Sequence, residues 1–180
     1  MYDNIVNESE MIKLKLYHGS TFIVKTPSLE ILNYKTDFGK GFYTTTDFEQ
    51  AKRWTAIKLK RIEQEKSTVE LKRYINIYEY TENSELKILN FLEASEEWLD
   101  FVYNNRRSQK LLHDYDIVKG PVADDNLFAT LRLYERNYIS KEDTIRALKT
   151  YKLINQISFH TEKSLGTIKY LYTEEVNDDE

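Results

Sequence analysis

The segment DFGKGFYTT, residues 37–45, places two glycines ahead of a threonine-rich run of strand-forming residues. Thr46 and Asp47 follow, and both side chains are favourable at a helix N-cap. The next apolar side chains share one helical face: Phe48, Ala51, Trp54, Leu59 and Ile62. We therefore predict a strand that leads into a helix over about residues 47–65. The basic segment 52–61, KRWTAIKLKR, is expected to be a solvated face of that helix.

Upstream of this segment, IKLKL (12–16) alternates apolar and basic residues, which is typical of a strand with one buried face. The predicted strand ends at Tyr17-His18-Gly19-Ser20, where backbone groups become free to meet a ligand. Considered alone, His18 is open to three roles: ligand binding, general base catalysis or a core histidine with a satisfied hydrogen bond. Gly19 favours a ligand site, because a residue without a side chain lets the backbone approach a ligand closely.

The rest of the chain mixes strand and helix patterns without regular alternation, which indicates an α+β fold. The predicted elements are a strand over 69–80, a helix from Ser95, a strand at 115–118 stopped by Gly120-Pro121, helices at 125–136 and after Ser140, and strands at 156–160 and 168–172. We predict one domain over residues 1–172 and a disordered acidic tail over 173–180.

Composition excludes several classes of site and indicates a cytoplasmic protein. The chain has no cysteine, so thiolate chemistry and sulfur-ligated zinc are excluded. Its three histidines, His18, His113 and His160, lack the close spacing of common metal sites, and we predict no metal. The net charge of -4 does not favour a general attraction to nucleic acid. No apolar run approaches the length of a membrane span, so no membrane partner is expected.

Two segments and the helix after them resemble one enzyme superfamily. LYHGST (16–21), FGKGFYTT (38–45) and DFEQAKRW (47–54) resemble the ADP-ribosyltransferase superfamily, in its diphtheria-toxin-like and poly(ADP-ribose) polymerase branch. That branch has a strand ending in H-G-[ST], a later G-x-G-[IFV]-Y strand, and a second aromatic residue eleven positions after the tyrosine. Trp54 stands eleven positions after Tyr43. The resemblance implies a split mixed β-sheet with flanking helices and NAD in the cleft between its halves.

The resemblance also implies a role for each matching residue. His18 would hold ribose hydroxyls of NAD, and the Gly19 backbone would pair with the nicotinamide carboxamide, which needs one donor and one acceptor. Tyr43 and Trp54 would enclose the nicotinamide ring, because aromatic faces suit a flat cationic ring. Tyr17 and Ser20 flank these groups and complete the implied NAD-binding set.

The third motif of the superfamily supplies a carboxylate that stabilises the oxocarbenium-like transition state. At the matching position this chain has Gln156, which opens QISFHT. A glutamine can bond a ribose hydroxyl, but it cannot act as a base. Three functions therefore stay open: ADP-ribose transfer, NAD hydrolysis with water as acceptor, and an inert NAD-binding or protein-interaction module. An exposed strand-start residue without a catalytic role is the alternative for Gln156.

Three further segments look like those of a bacterial uncharacterised-domain family within the superfamily: WLDFVYNNR (98–106), DYDIVKGPVADD (114–125) and QISFHTEKSL (156–165). The members of that family resemble toxins of toxin–antitoxin or phage-defence loci. This resemblance implies an acceptor macromolecule as substrate and a small antitoxin protein as partner.

The same segments nominate more residues, each with a structural alternative. Arg106 would pair with the NAD diphosphate, or form a surface salt bridge. Asp124 and Asp125 would orient the acceptor, or cap the following helix. His160 is either a site residue or a buried strand histidine.

Overall fold

The computed structural model describes residues 13–30, 36–64, 71–122, 125–148 and 154–177. Within these ranges the chain forms an α+β structure in which one mixed sheet is covered by helices. Its strands are β1 (Lys13–Ser20), β2 (Phe42–Thr45), β3 (Tyr74–Thr81), β4 (Ile88–Asn90), β5 (Ile117–Val122), β6 (Ile154–Phe159) and β7 (Ile168–Glu175). Its helices are α1 (Phe48–Gln64), α2 (Glu96–Arg107), α3 (Asp125–Glu135), α4 (Lys141–Leu148) and α5 (Glu162–Leu165). None of the helices in these ranges is long and apolar enough to cross a membrane.

The described strands have the order β4-β5-β6-β2-β1-β3-β7, and among them only the neighbours β4 and β5 run parallel. β1 pairs with β3 along all eight of its residues, and β2 pairs with β6 along all four of its own. By contrast, β1 and β2 share a single register pair, Tyr17 with Thr45. The two halves of the sheet therefore separate beyond Tyr17, between His18–Ser20 on one side and the start of β2 on the other.

Each face of the sheet has its own core. On one face, α1 packs through Ala51 against Ile75 and Ile77, while α2 and its neighbours pack Trp98 and Leu99 around a second cluster. The opposite face buries a set drawn mainly from the central strands: Leu16, Phe42, Tyr78, Ile117 and Phe159. Because side chains alternate along a strand, Tyr17 and Gly19 face α1, whereas His18 faces the same side as Phe42.

The helix predictions are confirmed, and the local signals behind them are visible as caps. α1 begins one residue later than predicted, after Asp47 accepts a hydrogen bond from the Gln50 N–H at 2.7 Å. Ser95 caps α2 by accepting from the Trp98 N–H. Ser140 likewise accepts from the Asp143 N–H at 3.1 Å and starts α4.

Three strand boundaries differ from the predictions. The strand predicted over 69–80 begins only at Tyr74, as β3, and residues 71–73 are not part of it. Residues 17–20 do not follow β1 but form its last part, since β3 pairs with β1 up to Ser20. β5 is not stopped by Gly120-Pro121 but continues to Val122. Its partner β4 ends opposite Lys119, so among the described strands β6 alone lies beside β5 at Pro121, which has no N–H to donate.

The predicted tail also begins too early. β7 extends to Glu175, which pairs with Tyr74, and Val176 donates its N–H to the Arg73 carbonyl. Val176 packs against the cluster under α1, so burial of this side chain favours an ordered end of β7 over a solvated one. Residues 178–180 lie outside the described ranges.

Candidate functional site

His18 bridges the gap where β1 and β2 separate. Its ring stacks on Phe42 at 4.4 Å between centroids, and its Nδ1 lies 2.6 Å from the carbonyl oxygen of Tyr43. Because a carbonyl oxygen only accepts, Nδ1 carries the hydrogen and donates. In the neutral ring, Nε2 is then left as an acceptor. A side-chain hydrogen bond thus replaces strand pairing at this point and fixes the ring orientation.

Lys58, on α1, provides the second polar group at this position. Its ammonium lies 3.4 Å from His18 Nε2 and donates to the Gly19 carbonyl oxygen at 2.5 Å. Burial and this ammonium together lower the pKa of His18 to about 3. His18 is therefore neutral at physiological pH, and Nε2 accepts hydrogen bonds. The expectation that all of 52–61 is a solvated helix face is wrong at Lys58, which turns towards the sheet.

Sequence reasoning missed Lys58, although its spacing carried a signal. Lys58 stands four residues after Trp54, and residues at that spacing share one side of a helix. Both side chains are partly buried. The aromatic residue nominated for NAD and the ammonium beside His18 thus project from the same side of α1.

Gly19 has a packing role in addition to any role in binding. A Cβ at this position would lie 2.2 Å from the Ala51 carbonyl oxygen, which belongs to the backbone of α1. The helix can approach β1 only because residue 19 has no side chain. The same approach brings Lys58 within reach of the Gly19 carbonyl.

Tyr43 is held through its hydroxyl by the segment 36–41, which we call the glycine loop. The hydroxyl donates to the Gly39 carbonyl at 2.7 Å, accepts from the Phe38 N–H at 2.9 Å, and lies 2.9 Å from Thr36 Oγ1. Burial raises the pKa of Tyr43, so the hydroxyl stays protonated. The hydroxyl is committed to the loop, and the partly buried ring is the part of Tyr43 that a ligand can meet.

Gln156 contacts a carboxylate that sequence reasoning did not single out. Its Nε2 donates to Asp37 Oδ2 at 3.2 Å, and the Gln156 residue is only 2% exposed. The alternative of an exposed strand-start residue is therefore wrong, because Gln156 is the third residue of β6 and has strands on both sides. Asp37 stands immediately before FGKG, but only the fold brings it to Gln156, 119 residues away.

Arg106 completes this group of side chains. Its Nη1 lies 3.5 Å from Asp37 Oδ1, and its Nε lies 3.0 Å from Glu135 Oε1. Burial raises the pKa of Asp37, while Arg106 and then Gln156 oppose that rise. The Arg106 side chain is 19% exposed, so the ion pair is largely buried and not a surface salt bridge.

The register of β2 and β6 places Tyr43 and Gln156 on one face of the sheet. Tyr43 pairs with Ser158, and Thr45 pairs with Gln156. Tyr43 and Gln156 are therefore diagonal neighbours, within reach of long side chains. The His18 side chain faces the other side of the sheet, with Phe42, and contacts β2 through the backbone carbonyl of Tyr43.

Two histidines hold the glycine loop from the outside. His160 Nδ1 donates to the Lys40 carbonyl at 2.7 Å, and His113 Nε2 donates to the Phe38 carbonyl at 2.8 Å. Their rings meet edge to face at 4.7 Å. Burial lowers the pKa of His160 to about 4 and also lowers the pKa of His113. His160 is thus a buried histidine, and its neutral ring positions the loop.

The other residues predicted for the site either make structural contacts or lie outside the described residues. Tyr17 packs edge to face on Phe48 at 5.4 Å between centroids. Ser20 is buried, and its hydroxyl accepts from the Phe22 N–H in a local turn. Asp124 lies outside the described residues, and Asp125 is the first residue of α3 with its side chain undescribed. Among the residues that are described, no cluster of three histidine or acidic side chains suits a metal ion.

Comparison with known proteins gives a family for the chain. No curated protein and no solved structure matches it. The family model described as a protein of unknown function, DUF3990, matches residues 14–170. This span begins in β1 and ends in β7, so it contains both the His18 and the Gln156 sides of the candidate site. The chain therefore belongs to the DUF3990 family.

Proposed function

We propose that this protein binds NAD where β1 and β2 separate, cleaves the bond between nicotinamide and ribose, and transfers ADP-ribose to an acceptor. The observation that carries the proposal is the arrangement around His18. A neutral imidazole with an accepting Nε2, a backbone carbonyl at Gly19 and an ammonium from Lys58 lie together, and the imidazole donates to the backbone carbonyl of Tyr43. The resemblance of LYHGST and FGKGFYTT to ADP-ribosyltransferases points to the same residues.

Each part of NAD has a group of suitable chemistry at this position. A ribose hydroxyl can donate to His18 Nε2, and the carboxamide can donate to the Gly19 carbonyl. The cationic nicotinamide ring suits the aromatic faces of Tyr43 and Trp54. Lys58 now occupies both acceptors, so NAD binding requires its ammonium to move, and the NAD diphosphate offers it a new partner.

The reaction places a positive charge on the ribose as the bond from C1′ to the nicotinamide nitrogen breaks. The electron pair of that bond neutralises the pyridinium ring, and a nucleophile of the acceptor then attacks C1′. Oriented dipoles and carboxylates stabilise such charge most effectively in a partly dry site. The hydrogen-bonded residues around Gln156 offer that environment, since Gln156 and Asp37 are both buried.

The test is nicotinamide release from NAD by the purified protein, with and without cell extract as a source of acceptor. We expect release in the presence of acceptor, together with label from adenine-labelled NAD on a macromolecule. Free ADP-ribose without labelled product would instead indicate hydrolysis. NAD binding without release under any condition would contradict the enzyme proposal and favour an inert NAD-binding module.

Two variants of Tyr43 separate its roles in this assay. Tyr43→Ala removes the ring, and we expect NAD binding and turnover to fall together because the stacking surface is lost. Tyr43→Phe keeps the ring and removes only the contacts to the glycine loop. NAD affinity in Tyr43→Phe should therefore stay closer to that of the parent than in Tyr43→Ala.

The biological setting that we propose is that of a toxin with an antitoxin partner, encoded in a toxin–antitoxin or phage-defence locus. This part rests on the resemblance alone, and the acceptor macromolecule is left open. Expression should arrest growth, and Tyr43→Ala should relieve the arrest if it depends on NAD chemistry. Co-expression of a small protein encoded beside this gene should also relieve it. Normal growth on expression of the active protein would contradict the toxin role.

A further inference from the structure

Asp37 occupies an unusual position for an acidic residue. Its side chain is 9% exposed, and it is held by the Gln156 amide at 3.2 Å and by the Arg106 guanidinium at 3.5 Å. The next residue, Phe38, donates its N–H to the hydroxyl of Tyr43. A buried carboxylate is costly unless it is paired and hydrogen-bonded, and Asp37 has a partner of each kind.

We propose that Asp37 supplies the carboxylate that NAD cleavage requires, in place of the acidic residue that Gln156 does not provide. This inference rests on the proposed function. Because an ionised carboxylate only accepts, Gln156 is held with Nε2 towards Asp37 and Oε1 directed away from it. Gln156 thereby acts as a positioning residue, and Asp37 carries the negative charge.

In the proposed step, the electron pair of the bond between C1′ and the nicotinamide nitrogen goes to nicotinamide, which leaves as a neutral molecule. The positive charge left on the ribose is stabilised by the Asp37 carboxylate. A lone pair of the acceptor forms the new bond to C1′, and the acceptor proton passes to Asp37 and then to solvent. The balance is NAD plus acceptor giving ADP-ribosyl acceptor, nicotinamide and one proton.

Two features suit Asp37 to this role. Burial raises its pKa above that of an ordinary aspartate, which makes the ionised group a stronger base. Arg106 opposes that rise, so its guanidinium favours the ionised form of Asp37. Glu135, the other carboxylate that contacts Arg106, is more exposed than Asp37, at 23% against 9%, and its Oε1 lies 3.0 Å from Arg106 Nε.

The central experiment exchanges the two side chains. Asp37→Asn removes the charge with little change of shape, and Gln156→Glu adds a charge at the partner position. The double variant Asp37→Asn with Gln156→Glu keeps one carboxylate and one amide in the pair but exchanges their places. Glu135→Gln is the matched control, because it also removes one negative charge from Arg106.

We expect Asp37→Asn to lower kcat for nicotinamide release by about 100-fold or more while NAD affinity stays close to that of the parent. Glu135→Gln should lower the same kcat much less. The kcat of the double variant should be at least about tenfold higher than that of Asp37→Asn, because the effects of substitutions at two contacting residues are not additive. Gln156→Glu alone places two carboxylates about as close as the present 3.2 Å contact, so its pH optimum should move upwards.

The outcomes separate this inference from the proposed function. If the parent releases nicotinamide and Asp37→Asn is as active as Glu135→Gln, Asp37 is not the required carboxylate although the enzyme proposal stands. If the parent binds NAD but never releases nicotinamide, the proposed function fails and this inference fails with it. Loss of NAD binding together with activity in an Asp37→Asn variant that is still folded would assign Asp37 a structural role and overturn the proposal.

A readout without NAD tests the same arrangement. The carboxyl carbon of Asp37, followed by NMR during a pH titration, should titrate above the ordinary range of aspartate. Gln156→Leu should raise the midpoint further, because it removes a donor to the ionised form. An ordinary midpoint that Gln156→Leu leaves unchanged would overturn the proposed pairing. If Asp37→Asn does not fold, this titration and the pH profile of Gln156→Glu decide the proposal.

Discussion

The two sides of the gap between β1 and β2 hold their polar groups in different ways. On the β1 side, the acceptors of His18 and Gly19 are both contacted by the flexible side chain of Lys58. On the β2 side, the glycine loop is fixed by Tyr43 from within and by His113 and His160 from outside. The β1 side, which we call the adaptable side, thus depends on one flexible side chain, whereas the β2 side, which we call the fixed side, is held by several ring contacts.

The largest expected effect comes from Gly19→Ala, which would break the close approach of α1 to the β1 side. The added Cβ would overlap the Ala51 carbonyl at 2.2 Å, and a backbone atom cannot move aside like a flexible side chain. We expect a loss of about 3 kcal/mol or more in the free energy of unfolding, measured by denaturant titration. Gly166→Ala is the control, since its Cβ would meet nothing closer than 3.2 Å. Equal stability of the two variants would contradict the packing role of Gly19.

Tyr43→Phe tests the fixed side by removing one hydroxyl with three neighbours. The Phe38 N–H would lose its acceptor inside a buried loop. The expected cost is about 1–3 kcal/mol in the free energy of unfolding, because an unsatisfied buried donor loses its desolvation energy. Tyr170→Phe removes a hydroxyl that contacts only Thr173 Oγ1 among the described residues, and should cost less. A larger loss in Tyr170→Phe would show that the glycine loop does not depend on Tyr43.

The histidines on the fixed side predict a loss of stability in acid. Their pKa values are lowered on folding, so the unfolded chain binds protons first as pH falls below about 6.5. The contribution of these histidines to the free energy of unfolding is therefore fully present above that pH. It is lost as pH falls towards 4, at about 1.4 kcal/mol per pH unit for each proton. His160→Gln removes one of these two titrating groups, so the free energy of unfolding should change less steeply with pH. An unchanged slope would mean that His160 is not buried as a neutral ring.

The smallest effect concerns Lys58 on the adaptable side. In Lys58→Met the pKa of His18 should rise above about 3, because the neighbouring positive charge is lost. It should stay below 6.5, since burial is the larger cause of the lowered value. NMR titration of the His18 ring measures the change, and the exposed Lys60→Met serves as the control. A His18 midpoint that is the same in both variants would remove Lys58 from the site.

The sequence predicted the local elements of this fold well, because their signals are local. Ser95 and Ser140 are helix caps that act within three residues of themselves. The continuation of β5 through Pro121 depends instead on where a neighbouring strand ends, which no short pattern records. Asp37 illustrates the same limit in the candidate site. Its residue type is ordinary, and its importance appears only when β6 brings Gln156 against it.

The single register pair between β1 and β2 also bears on the order of folding. β2 is close in sequence to β1 but pairs mainly with β6, so Thr44 bonds to a residue 113 positions later. Contacts of such separation form late, because the chain must first close a long loop. During synthesis from the N-terminus, β1 and β3 can pair early, while β2 waits for β6. We therefore expect the glycine loop to reach its final form only after β6 has been made, so a chain that stops before β6 cannot assemble the candidate site.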